Sequence, residues 1–234
     1  GIIGALVEDL IDTSLESDAD IARLRHTPGG AFGSCRYKLK SLDEHRAQYE
    51  RLIEVFRAHD IGYFFYNGGN DSADTTHKLS QIAASLGHEM FCVGVPKTID
   101  NDLPGTEFTF GYDTACSVVA EAVDSLRATA NAHRRIIVVE TMGRTAGWIA
   151  LGGGLASYAD GILIPERPFR RSDLLAFLQN KRNNNYRGVV LAVSEGAHAE
   201  GEPLHVAFRV EGSPEPVRLG GVAEALAREL QNGQ

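Results

Sequence analysis

Five short segments gather chemistry-bearing side chains where apolar runs end or glycines cluster. Asn67-Gly68-Gly69-Asn70-Asp71-Ser72 follows the run Tyr63 to Tyr66. Its two glycines let the backbone approach an anion closely, and a helix capped by Asp71 or Ser72 would aim free amides at that anion. The same residues also suit an ordinary strand-to-helix turn, and the Asp71 carboxylate repels phosphate unless a metal ion or a lysine intervenes. The second segment, Pro96-Lys97-Thr98-Ile99-Asp100-Asn101-Asp102, closes the run Met90 to Val95 with a cation, a hydroxyl and two carboxylates. Asp100 and Asp102, two apart in an extended loop, can point the same way, so that one takes a proton from a substrate hydroxyl while the other binds Mg2+. Solvated turn carboxylates are the competing reading.

The run Arg135 to Glu140 leads into Thr141-Met142-Gly143-Arg144-Thr145-Ala146-Gly147-Trp148. Arg135 and Arg144 can each offer a planar fork to a phosphate, and Gly143 lets backbone close over a ligand. A surface arginine pair beside a buried Trp148 is the plainer alternative. Upstream, the stretch His26 to Lys38 joins a glycine-rich loop to Arg36 and Lys38, a combination of backbone amides and cations that suits polyphosphate, or else a flexible hairpin. The run Val189 to Val193 ends at Ser194-Glu195-Gly196, where a carboxylate can accept hydrogen bonds from sugar hydroxyls.

These segments need elements to hold them. Short apolar runs read as strands at Gly62 to Tyr66, Met90 to Val95, Arg135 to Glu140, Gly161 to Ile164 and Gly188 to Val193, each covered on both faces. Helical spacing marks His45 to His59, with Tyr49, Leu52, Ile53 and Phe56 on one face, then Ala73 to Leu86 and Ala115 to Ala130. A helix rich in small residues follows Trp148, and Asp173 to Arg182 and Val222 to Gln231 complete the set. Strands alternating with helices predict an α/β fold with ligand loops at the carboxyl ends of parallel strands. Pro96 to Asp113 reads as a long loop joining two lobes, with the boundary near Gly111, Asn183 to Asn185 as a surface turn, and Ala197 to Pro216 as an irregular connection.

Composition narrows the function classes. The 234 residues are 43% apolar and 23% charged, enough for a sizeable core and unlike a disordered chain. No apolar run approaches the ~20 residues of a membrane span, and no basic-then-apolar leader is visible. The formal net charge of −8 opposes non-specific binding to nucleic acid or anionic lipid. Cys35, Cys92 and Cys116 are odd in number and widely spaced, which suits a reducing cytoplasm better than a disulfide framework. Gly1 enters almost directly into an apolar stretch and the chain stops just after a helix, as expected of a piece of a longer polypeptide.

Taken in order, the segments closely resemble the phosphofructokinase family from about Gly1 to Gln231. Its members pair a Gly-Gly-Asp-Gly-Ser or Gly-Gly-Asp-Asp-Ser loop with Pro-Gly-Thr-Ile-Asp or Pro-Lys-Thr-Ile-Asp, then Met-Gly-Arg and a Glu-Gly turn. Here these stand as Gly68 to Ser72, Pro96 to Asp102, Met142 to Arg144 and Glu195-Gly196. The resemblance implies two Rossmann-like three-layer lobes with mainly parallel sheets and an active site in the cleft between them. Residues 1–111 would bind the phosphoryl donor and residues 112–234 fructose 6-phosphate. It further implies Asp100 as the base for the sugar 1-hydroxyl, with Lys97, Thr98 and Asp102 beside it. Gly69, Asn70, Asp71, Ser72 and Arg36 would meet the donor, Met142, Gly143, Arg144 and Glu195 the sugar phosphate. Arg135 matches an arginine that reaches the sugar phosphate of a neighbouring subunit, implying a homo-oligomer, dimer or tetramer.

ATP-using relatives usually carry glycine at the positions of Asp71 and Lys97, whereas pyrophosphate-using relatives carry aspartate and lysine. Asp71 would crowd and repel the α-phosphate of a nucleotide, while Lys97 offers a charge-assisted contact to compact pyrophosphate. The implied reaction is reversible transfer from pyrophosphate to fructose 6-phosphate with Mg2+, in glycolysis or gluconeogenesis. Asn70 replaces an aspartate that helps hold the metal, so Asp102 is the main metal ligand expected, with Asn70 and Asp71 secondary. The family's first strand with its Gly-Gly loop and its later Gln-Arg-Gly-Gly segment are not in this sequence, so the 234 residues alone are expected to be inactive or severely impaired. Two other readings stand beside this one: a catalytically silent sugar-phosphate-binding regulatory subunit, resting on Asn70, and an ATP-dependent 6-phosphofructokinase, resting on the glycine loop.

Overall fold

All six residues of strand β5 (Val189–Ser194) are buried, as expected of an apolar, β-branched run lying between two parallel neighbours. In the computed structural model, which describes residues 1–35, 37–213 and 215–232, this strand centres the larger of two units, Pro96–Gln234. Strand β3 (Ile136–Thr141) pairs with it from Ile136↔Val189 to Thr141↔Ser194, and β4 (Gly161–Leu163) from Gly161↔Leu191 to Leu163↔Val193. Both pairings are parallel, so the carboxyl ends of β3 and β5 emerge side by side.

Helices cover both faces of this sheet. Val189, Leu191 and Val193 pack against Leu174 and Leu178 of α7 (Arg171–Asn183) and Leu226 and Leu230 of α8 (Val222–Asn232). The alternate residue Val190 meets Val123 and Ala130 of α5 (Tyr112–His133), and Ala192 lies under Gly154 of α6 (Trp148–Ala156). The period-two alternation of a strand thus divides one apolar run between two helical layers.

In Gly1–Val95, strand β1 (Tyr63–Gly68) and strand β2 (Phe91–Pro96, whose last residue opens the other unit) form a two-stranded sheet. Phe64, Tyr66 and Cys92 turn inward onto a core of Leu52, Ile53, Phe56, Leu79 and Ile82 from α3 (Leu42–Ala58) and α4 (Asn70–Ser85). The opposite face differs from the expectation of strands covered on both sides: Tyr63, Phe65, Phe91 and Val93 are exposed, because α3 and α4 both lie across the same face. Two short helices, α1 (Ile2–Leu6) and α2 (Asp18–Arg23), precede these elements.

Three boundaries depart from the sequence reading. Helix α3 starts at Leu42, before His45, since Ser41 caps it by accepting the Glu44 N–H; His45 itself leaves helical geometry and masks the first turn. The stretch 197–216 contains the hairpin strand β6 (Val206–Arg209), which pairs antiparallel with β7 (Val217–Leu219). All four residues of β6 are exposed, so no buried alternation announces it. The units divide after Val95 and not at Gly111, because the following loop folds back on its own start: Phe110 N–H donates to Pro96 O at 2.9 Å. Among the described residues no helix is long and apolar enough to cross a membrane.

Candidate active site

The segment Pro96 to Asp102 is held by contacts with Glu107, Thr109 and Phe110, which lie beyond it. Lys97 and Phe110 form a parallel bridge, the Thr109 hydroxyl donates to Thr98 O at 2.5 Å, and Thr109 N–H donates to Asn101 Oδ1 at 2.9 Å. Asn101 adopts a left-handed φ of 55° and donates its amide to Glu107 O at 3.0 Å, closing the turn. Within it Asp100 N–H donates to Thr98 Oγ1 at 3.2 Å. The Asp100 side chain is half-buried, and its Oδ1, fully buried, meets no hydrogen-bond partner among the described residues. Burial, then the Asp102 and Glu195 carboxylates, push Asp100 above the ordinary aspartate value; Arg144 and Lys97 oppose this without cancelling it. A carboxylate raised in this way is a stronger proton acceptor than a free aspartate.

The parallel register of β3 and β5 brings the next two segments together. Glu195 N–H donates to Thr141 O at 2.8 Å, and Glu195 Oε1 accepts the backbone N–H groups of Gly143 at 3.2 Å and Arg144 at 2.9 Å. This tight turn requires Gly143, whose φ is 141° and whose added Cβ would stand 2.2 Å from Ala146 O. The Arg144 guanidinium donates to Glu215 Oε1 at 2.5 Å, and the Met142 side chain is exposed. Below the turn, Thr141 Oγ1 and Ser194 Oγ are buried with no partner among the described residues. The larger unit therefore assembles Lys97, Asp100, Asp102, Arg144 and Glu195 into one electrostatically coupled group.

In the smaller unit the glycine turn leads straight into α4. The helix starts at Asn70 with Gly69 at its N-cap, and no side chain caps it. The expected cap by Asp71 or Ser72 is corrected: the helix begins earlier, which places both residues inside its first turn. Gly68 is required by contact, since a Cβ there would lie 2.0 Å from Ser72 Oγ. Asp71 Oδ1 lies 2.7 Å from Lys38 Nζ, so a lysine does stand against the carboxylate in this turn. Arg36 lies outside the described residues.

Arg135 sits elsewhere. It precedes β3, at the end opposite Thr141, and with Arg134, Arg182 and Arg187 lines a cavity of about 820 Å3.

Among the described residues no three His, Cys, Asp or Glu side chains cluster as a metal cage. Mg2+ needs no such cage, being commonly held by one or two carboxylates together with substrate phosphates. Asp102, beside the unpartnered Asp100 oxygen, fits that kind of donor set.

The sequence profile described as Phosphofructokinase matches residues 1–234. The chain belongs to the phosphofructokinase family. It is 52% identical over 242 residues to the pyrophosphate–fructose 6-phosphate 1-phosphotransferase of Methylococcus capsulatus, covering 97% of this chain and 56% of that protein. It is 47% identical over 204 residues to the ATP-dependent 6-phosphofructokinase 2 of Streptomyces coelicolor, covering 87% and 57%. The crystal structure of the pyrophosphate-dependent phosphofructokinase from Marinobacter aquaeolei superposes with a TM-score of 0.81 at 46% identity, over 99% of this chain and 55% of that one. The chain thus spans little more than half the length of the curated relatives it matches.

Within this chain, the residues that sequence reasoning missed are those that act at long range. Glu215 pairs with Arg144 from a stretch read as irregular, and Glu140 accepts the N–H groups of Gly221 and Ala223, both at 2.9 Å, fixing the start of α8. Neither has a local spacing signal; the acidic residue between prolines at 214 and 216 was the available hint for Glu215.

Proposed function

We propose that this protein reversibly transfers a phosphoryl group from pyrophosphate to the 1-hydroxyl of fructose 6-phosphate, yielding fructose 1,6-bisphosphate and phosphate. The observation that carries the donor choice is Asp71 in the first turn of α4, next to the glycine turn. The Asp71 side chain there crowds the α-phosphate of a nucleotide, and Lys97 adds a charge-assisted contact for a small, dense anion. The relative from Methylococcus capsulatus, named for pyrophosphate, supports this reading.

Asp100 acts as the base: its raised affinity for a proton and its unpartnered oxygen suit removal of the 1-hydroxyl proton. Thr98 supports it, since its hydroxyl accepts the Asp100 N–H and steadies the turn. Phosphoryl transfer calls for in-line positioning and charge neutralisation more than covalent help. Asp102 would hold Mg2+, which when bound supplies positive charge to the donor oxygens; Asn70 and Asp71 are secondary ligands. Arg144, Gly143, Met142 and Glu195 receive the sugar phosphate and hydroxyls, while Gly69, Ser72 and Arg36 serve the donor. Residues up to Val95 thus take the donor and the segments after Gly111 the sugar phosphate.

Arg135, at the far end of β3, serves the site of a second copy, so the working form is a homo-oligomer. The free thiols of Cys35, Cys92 and Cys116 agree with a reducing cytoplasm.

The test is Asp100→Asn in the full-length protein. The amide cannot take the proton, so kcat is expected to fall about 10²- to 10⁴-fold while fructose 6-phosphate still binds. Unchanged kcat would remove Asp100 from the mechanism. ATP as donor is the second reading, favoured by the 47% identity to the Streptomyces coelicolor enzyme.

A further inference from the structure

Lys38 lies in the irregular segment before α3, yet its neighbours on both sides are fixed. Leu39 is 1% exposed, the Tyr37 hydroxyl donates to Gln48 Oε1 at 2.7 Å, and the Tyr49 hydroxyl donates to Lys40 O at 3.0 Å. Lys40 N–H also donates to His45 Nδ1 at 3.3 Å. The backbone around Lys38 is therefore pinned against α3, and its ammonium is directed to Asp71 Oδ1 at 2.7 Å. Both side chains of the pair are about half exposed, 47% and 48%. An ion pair that wet adds little to folding, so its consequence is local.

That consequence concerns charge at the donor turn. An uncompensated Asp71 carboxylate would repel every phosphate, pyrophosphate included, and pyrophosphate packs more negative charge into less volume than a nucleotide does. With the ammonium in place the bulk of Asp71 remains in the first turn of α4 while its charge is offset. We propose that Lys38 is a positioning residue that determines donor specificity: it neutralises and orients Asp71, so that the turn excludes a nucleoside triphosphate by shape without repelling pyrophosphate. The proposal rests on the donor reading above.

The test is a calorimetric titration of metal-free pyrophosphate, so that no Mg2+ ligand is at stake, into the full-length wild type, Lys38→Met, Asp71→Asn and the double variant, with fructose 6-phosphate as a parallel titrant. Lys38→Met is expected to weaken pyrophosphate binding about tenfold, with added salt narrowing the gap to wild type by screening the bare Asp71 carboxylate and fructose 6-phosphate affinity unmoved. Adding Asp71→Asn is expected to recover the loss to within about threefold, the non-additivity of a coupled pair. Pyrophosphate affinity unchanged in Lys38→Met overturns the proposal. So does a double variant as weak as Lys38→Met, which would mean that Lys38 touches the donor itself. A wild type that binds ATP and not pyrophosphate removes the donor reading and this proposal together, whereas normal pyrophosphate binding by wild type and Lys38→Met alike removes this proposal alone.

Discussion

Glu215 Oε1 and Arg144 Nη1 lie 2.5 Å apart although 71 positions separate them in sequence. The proposed reaction requires this same guanidinium to receive a sugar phosphate, so Glu215 and substrate compete for one fork of donors. Glu215→Gln removes the competing charge. The KM for fructose 6-phosphate is expected to fall about threefold, with the change mainly in KM and not in kcat, as steady-state kinetics will show. A higher KM would mean that Glu215 holds Arg144 in its productive pose.

Gly143→Ala tests the turn that joins Arg144 to Glu195. A side chain at φ 141° is strained, and its Cβ would press on Ala146 O at 2.2 Å. Denaturant unfolding is expected to show a loss of about 2 kcal/mol. A variant as stable as wild type, with unaltered affinity for fructose 6-phosphate, would show that the turn does not depend on this geometry.

Acid stability should depend on Asp160, whose side chain is 8% exposed. Burial alone would push this carboxyl up, but the Lys181 ammonium at 2.9 Å, the Val190 N–H at 2.9 Å and Arg127 at 3.5 Å outweigh it and hold Asp160 below the ordinary 3.8. A lowered folded value stabilises the native state above the unfolded value, and that contribution is lost as pH falls through the folded one. Wild type is therefore expected to lose stability below about pH 4, and Asp160→Asn to lose less over the same range. At neutral pH Asp160→Ala is expected to cost about 3 kcal/mol by leaving Lys181 without its buried partner. Equal acid slopes for wild type and Asp160→Asn would contradict this assignment.

What the sequence made legible was local in origin. Tyr49, Leu52, Ile53 and Phe56 are all buried, because a period of 3.6 and a one-sided core leave little choice of face. Gly188 to Val193 reads as a strand covered on both faces because the run is apolar at successive positions, and all of β5 is buried. The meeting of Arg144 and Glu195 follows from the ends of β3 and β5 emerging side by side in a parallel sheet, whereas Asp100 follows β2 of a separate sheet and faces their charges from its own loop.

Illegible were the contacts that close over long separations. Proline and glycine marked Pro96 to Asp113 as a loop, but nothing local told that Thr109 and Asn101 would stitch it back to Thr98, moving the division of the chain to Val95. Lys38 and Asp71 each stood out as charged residues near glycines, yet their pairing depends on how Leu39 and Tyr49 seat one segment against α3. Arg135 sat in the same motif as Arg144 and is found at the other end of the strand.

Donor specificity of the full-length protein is the deciding measurement: kcat/KM with fructose 6-phosphate and Mg2+, using pyrophosphate and ATP in turn. With Asp71 in the first turn of α4, pyrophosphate is expected to be preferred by about a hundredfold or more. Turnover with ATP and none with pyrophosphate would contradict the assignment of the donor and leave membership of the family untouched.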